Sequence, residues 1–363
     1  MRNKSLLYNF LTFFITVGLV FLVVTIGSSR YTGEDKLFNI ILIFALFAIV
    51  SGFICTLLHE LGHYFFGKKN GFKLISIAIW FFKWSLVGEE FKFSFTVPTE
   101  EFGSTEMIPL STENLEKRFS KLTSGGLIFS AISALIGVPA LFLEFLPLWA
   151  FAMWSMFLPI GAYVFCGNFF PISDNGVRND GAVYFGIKNQ DDISKVTISL
   201  LKIHSELYNG KTPSEIDDSL LYDLPQLPED DVNFIMLLYW RYLKCLDLED
   251  FEKCIALLER LLSLEEYFSK DIYNVVKTEA VYAYSTYAKD VEKADISVYE
   301  IEKYLNDNNA CSCVRAKLSY ILIEDDFNET ADMFYNKGIK ECLKSQIKGL
   351  GKFERKLLDK LKN

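Results

Sequence analysis

Four apolar runs dominate this chain, at residues 7–27, 37–67, 122–146 and 148–170. Each reaches the roughly 20 residues that a helix needs to cross a bilayer. Hydrocarbon offers backbone amides no water, so such runs are confined to helices or closed barrels. The predicted fold class for the first half is therefore an all-α polytopic membrane protein with four transmembrane segments. The first run lacks the small-residue site at which a signal peptide is cleaved, because Ile26-Gly27-Ser28-Ser29 is a poor substitute. It is expected to stay as an anchor.

Charge divides the chain in two. Residues 1–190 carry 14 Lys/Arg against 13 Asp/Glu, and residues 191–363 carry 23 against 33. The expected domains are a membrane domain over 1–190 and a soluble, acidic domain over 191–363. Arg2 and Lys4 precede the first run, Lys68, Lys69 and Lys73 follow the second, and Lys117, Arg118 and Lys121 precede the third. Positive residues favour the cytoplasmic side. This places the N-terminus, the 68–121 loop and the C-terminal domain in the cytoplasm of a multi-pass cell-membrane protein. Five of the seven cysteines fall in the second domain, where reduced thiols are expected.

Residues 72–82 and 91–97 read as the strands of a small interfacial β-hairpin. They are rich in Phe, Ile and Trp, and Lys92, Ser94 and Thr96 alternate with apolar neighbours. Ser124-Gly125-Gly126, inside the third run, suits a close approach of helices. From residue 191 onward amphipathic helices are expected in pairs: 232–244 with 249–262, 272–287 with 298–305, and 314–323 with 330–342. The spacing resembles tetratricopeptide-type repeats, with the diagnostic Trp, Gly and Pro positions poorly kept.

The second run ends in His59-Glu60-Leu61-Gly62-His63, and the chain has only one other histidine, His204. In a soluble protein five such residues often form a plain amphipathic helix. Within a bilayer-length helix ionisable groups are costly and mark functional sites. His59 and His63 stand at i and i+4, on one face of a helix. That pair suits Zn2+ with an open position for water, and Glu60 beside it suits a general base.

A zinc site needs a third protein ligand, and His204, on a helix of the soluble half, is a poor one. The fourth run closes with Asn168-Phe169-Phe170-Pro171, followed by Asp174 and by Asp180-Gly181. Pro171 interrupts the helix and frees backbone groups, which is tolerated at membrane depth only where protein or water satisfies them. Over roughly residues 37–185 the sequence resembles the site-2 protease family of intramembrane zinc metalloproteases. That family pairs HExxH on one transmembrane helix with N-x-x-P…D-G on a later one. The resemblance implies that His59, His63 and Asp180 ligate Zn2+, that Glu60 is the catalytic general base, and that Asn168 contacts substrate. The family usually places four residues between the proline and the aspartate; here eight intervene. Asp174 is thus a rival third ligand. Asp180 is preferred because Gly181 follows it and residues 182–187 can return as helix, whereas Asp174-Asn175-Gly176 reads as a turn.

The expectation is a zinc metalloendopeptidase that cleaves a transmembrane or membrane-anchored peptide near the cytoplasmic face, as in regulated intramembrane proteolysis. The alternative is a non-catalytic membrane receptor or immunity-type scaffold whose helical domain binds a partner. Expected partners are a membrane-embedded peptide or protein substrate, the lipid bilayer, and a cytosolic protein held by residues 191–363. No nucleic-acid partner is expected.

Overall fold

The computed structural model describes residues 2–31, 36–88, 90–97, 102–174, 177–324 and 327–362. The chain divides into two compact units. One is built mainly from residues 1–86, 91–108 and 113–194, the other mainly from residues 195–363.

The first unit is a helical bundle with a small sheet. Its helices begin with α1 (Arg2–Arg30) and α2 (Lys36–Lys69). Four strands follow: β1 (Phe72–Ile79), β2 (Phe82–Val87), β3 (Glu90–Phe95) and β4 (Gly103–Pro109). Then come α3 (Leu115–Ile136), α4 (Leu148–Ser155), α5 (Phe157–Phe169), the short strands β5 (Ser173–Asp174) and β6 (Val177–Arg178), and α6 (Asp180–Asn189). Among the described residues four helical stretches are long and apolar enough to cross a membrane: Lys4–Arg30, Phe38–Lys69, Leu115–Leu141 and Leu148–Phe169.

The third stretch starts and stops earlier than its apolar run. Glu116, Lys117, Arg118 and Lys121 are good helix formers and extend it toward Leu115. Its α-helical part, α3, ends at Gly137, and a tighter turn from Pro139 completes it. The fourth is interrupted at Met156. Pro159 has no N–H to offer the carbonyl of Ser155, so the ladder of helix hydrogen bonds lapses there.

Glycine sets how closely the helices pack. A Cβ on Gly62 of α2 would meet the Gly125 carbonyl of α3, and one on Gly125 would meet the Gly62 carbonyl. The two backbones therefore touch, as the small residues at 124–126 led one to expect. At the end of the bundle away from the HExxH motif, the Arg30 guanidinium donates to the carbonyls of Ala140 (3.4 Å), Leu141 (2.5 Å) and Leu143 (3.4 Å). It also lies 5.1 Å from the centre of the Phe151 ring. One cation thus satisfies carbonyls left over where α3 unravels.

The sheet is larger than the expected hairpin. Its strand order is β3-β2-β1-β4. The 72–82 segment is not one strand: it turns at Trp80-Phe81 and pairs with the next strand, Ile79 opposite Phe82 and Ser76 opposite Ser85. Trp80 adopts a left-handed backbone, φ 54°, which is unusual for a bulky residue. Its surroundings hold it there. Its amide donates to the Phe102 carbonyl at 2.7 Å, and its indole packs edge-on against Phe53 and over Gly52. No Gly, Asn or Pro marks this turn, and β4 has no apolar alternation to announce it.

The second unit is helical: α7 (Asp192–Tyr208, mostly within this unit), α8 (Ser219–Tyr222), α9 (Val232–Asp247), α10 (Phe251–Leu262), α11 (Lys270–Ala283), α12 (Val291–Asp307), α13 (Cys311–Glu324), α14 (Glu329–Leu343) and α15 (Lys348–Lys362). Side chains of Asp231, Asp250, Ser269, Asp290 and Asn328 cap the N-termini of α9 to α12 and α14. Arg315 is fully buried and bridges two carboxylates. Its guanidinium bonds Glu279 at 2.8 Å and Glu354 at 2.7 Å, over the Tyr282 ring at 4.0 Å. All seven cysteines are free thiols.

Candidate metal centre

Helix α2 presents His59, Glu60 and His63, all buried at 4–7 % exposure. The two imidazoles lie on one face and their Nε2 atoms stand 3.1 Å apart. Asp180, at the first turn of α6, sends Oδ2 to 3.3 Å from His59 Nε2 and 3.1 Å from His63 Nε2. Among the described residues these three form a group able to hold a metal ion. His59 and Asp180, 121 positions apart in the chain, are thus brought together.

The tautomers follow from the other ring nitrogens. His63 Nδ1 lies 3.1 Å from the Leu122 carbonyl, which can only accept, so Nδ1 carries the proton and Nε2 a bare lone pair. His59 Nδ1 lies 2.8 Å from the Ser130 hydroxyl, which can take the same proton. Asp180 Oδ2 is buried with no hydrogen-bond partner. Three acceptor atoms thus face one another across about a hydrogen-bond length, an arrangement that repels unless a cation sits among them.

Glycine makes the room. A Cβ on Gly126 of α3 would run into the His63 imidazole and stand 2.8 Å from His59 Cε1. At Gly181 it would strike the Phe169 carbonyl, so only glycine lets the start of α6 press against the end of α5.

Asn179 fixes that corner. The helix α5 ends at Phe169, and Phe170 is extended before Pro171. The Asn179 amide nitrogen donates to the carbonyls of Gly167 (2.6 Å) and Phe170 (2.7 Å). Its Oδ1 accepts from Ile172 N (3.1 Å) and caps α6 through Ala182 N (3.0 Å). One side chain thus satisfies groups that the proline break sets free and points α6 at the imidazoles. Farther along, Arg178 holds Asp191 at 2.8 Å and 3.1 Å.

Of the residues expected at a site, His59, His63 and Asp180 converge, and Glu60 lies beside them on α2. Asn168 does not join the His59, His63 and Asp180 group; its amide donates to the Val164 carbonyl of its own helix at 3.0 Å. Asp174 has its backbone in β5, paired with Val177 of β6, and its side chain lies outside the described residues. His204 lies on α7 against Trp240. Sequence reasoning missed Asn179, Ser130 and Thr105. Only Asn179 carried a legible signal, an Asn at the N-cap position before Asp-Gly. No protein-family model matches the chain, and no curated protein or solved structure matches it significantly.

Proposed function

We propose that the chain is an intramembrane zinc endopeptidase. The observation that carries this reading is the triangle of His59 Nε2, His63 Nε2 and Asp180 Oδ2, with edges of 3.1, 3.3 and 3.1 Å. Ligands about 2.0–2.1 Å from zinc in a tetrahedron stand about 3.3 Å from one another, so the donor set, its count and its spacing suit zinc with one position open. In such a site zinc supplies Lewis acidity and lowers the pKa of a water in the open position toward about 7. Glu60 would take the proton of the attacking water and pass it to the leaving amine. Ser130 and the Leu122 carbonyl orient the imidazoles.

The membrane setting rests on the four apolar helices. Their outward residues, among them Phe14, Phe21, Leu46, Ile49, Leu135 and Trp149, are exposed, as a lipid-facing surface would be. The substrate would be a transmembrane or membrane-anchored peptide, unwound before cleavage. Lys/Arg placement puts the motif near the cytoplasmic face, with both termini in the cytoplasm. Arg30, on the opposite side, is occupied by carbonyls. The helical second unit, whose sequence spacing resembles tetratricopeptide-type repeats, would recruit or restrain a cytosolic partner or the substrate.

The test is comparative proteomics of membrane-retained fragments from cells with wild type and Glu60→Gln. Fragments that accumulate only with the variant identify substrates. Identical fragment profiles, with both proteins zinc-loaded, would leave the non-catalytic scaffold as the better reading.

A further inference from the structure

Strand β4 meets α2 at the motif, through Gly103 and Thr105. Glu60 has two carboxylate oxygens, and this strand meets both. The Thr105 hydroxyl donates to Oε2 at 2.6 Å. The same hydroxyl is 3.3 Å from the Glu60 backbone carbonyl, so its proton belongs to the nearer carboxylate. On the other side Oε1 lies against Gly103, where a Cβ would stand 2.5 Å from it and 2.8 Å from Thr56 Cγ2. Positions 103 and 105 fall on one face of a strand. A buried glutamate with three rotatable bonds is thereby held by a donor on one oxygen and a space left by a missing side chain at the other. Neither is on the helix that carries the motif.

We propose that Thr105 is a positioning residue, which with Gly103 fixes the Glu60 carboxylate in the orientation its work as a base requires. The inference rests on the reading of Glu60 as the base of a metal site. It assigns β4 a part in the chemistry as well as in the sheet: Thr105 ties up Oε2 and leaves Oε1 to receive a proton.

The test needs no natural substrate. The purified full chain in detergent is loaded with Co2+ and titrated with acetohydroxamic acid, followed by visible d–d absorption. The probe chelates the metal through two oxygens and gives its hydroxyl proton to a neighbouring carboxylate, so its affinity reports where that carboxylate is. Thr105→Val keeps the shape and removes the donor. It should bind cobalt as wild type does and lose about tenfold or more in hydroxamate affinity, the usual worth of a hydrogen bond to a charged group. Thr105→Ser should restore it. Thr105→Val should add nothing in a Glu60→Gln background. Gly103→Ala, which crowds Oε1 with the hydroxyl intact, should also weaken the probe and serves if the valine variant does not fold. Wild-type affinity in both Thr105→Val and Gly103→Ala, while Glu60→Gln loses it, overturns the role of Thr105 and leaves the metal site standing. Tighter binding in Thr105→Val overturns it too, because Thr105 would then restrain the base. Wild-type affinity in Glu60→Gln removes the base reading itself.

Discussion

Asp180 Oδ2 is buried among two imidazole nitrogens and lacks a hydrogen-bond donor of its own. Zinc sites are rarely kept by two protein ligands. Asp180→Ala and His59→Ala should each remove most of the zinc from purified protein, as elemental analysis would read. Gly126→Ala should do the same with every ligand residue in place, because its Cβ would collide with the His63 ring. Glu60→Gln, in contrast, should keep its zinc and lose at least about 10²-fold in cleavage rate, the low end of what a general base contributes. Substantial proteolysis by the zinc-loaded Gln variant would remove the enzymatic reading.

At the scale of elements, the corner between α5 and α6 decides whether Asp180 reaches the histidines. Asn179→Ala would leave the carbonyls of Gly167 and Phe170 and the first turn of α6 short of partners. Metal affinity should fall about 10- to 100-fold, as for loss of an outer-shell partner, with Asn179→Asp recovering the cap but not the two donated bonds. The histidine pair was legible because HExxH depends only on helix period. Asp180 was legible through resemblance, helped by Gly181. Of the corner only the N-cap role of Asn179 had a local sign; its bonds back to Gly167 and Phe170 cross a chain reversal that periodicity cannot see. The sheet was half legible: Phe72 to Ile79 has strand composition, but the turn at Trp80 is set by contacts with Phe53 and Phe102 from elsewhere in the chain. That β4 would meet Glu60 had no local sign at all.

At the scale of the whole molecule, residues 195–363 belong to a compact unit with its own buried core, in which Arg315 is fully buried. A fragment of residues 191–363 should be soluble, mainly helical by circular dichroism, and without peptidase activity. His204 gives it a pH signature. Burial lowers that imidazole from the ordinary 6.5 to about 4. Between those values the unfolded chain binds the proton and the folded chain does not, so stability is full above the upper value and declines as pH falls toward the lower one. Urea midpoints should therefore drop over this window in wild type and drop less in His204→Phe. The expected side of the membrane is checked with a membrane-impermeant maleimide on Tyr299→Cys, at a position 83 % exposed, since Cys254 and Cys313 are buried. Labelling from outside intact cells would reverse the proposed topology.

Whether His59, His63 and Asp180 together hold a single zinc is read by X-ray absorption at the zinc edge of the purified full chain. The expected result is one zinc per chain with two nitrogen ligands and oxygen in the remaining positions, lost in Asp180→Ala and kept in Asp174→Ala. A zinc-free protein, or one whose zinc survives Asp180→Ala and disappears in Asp174→Ala, would contradict it.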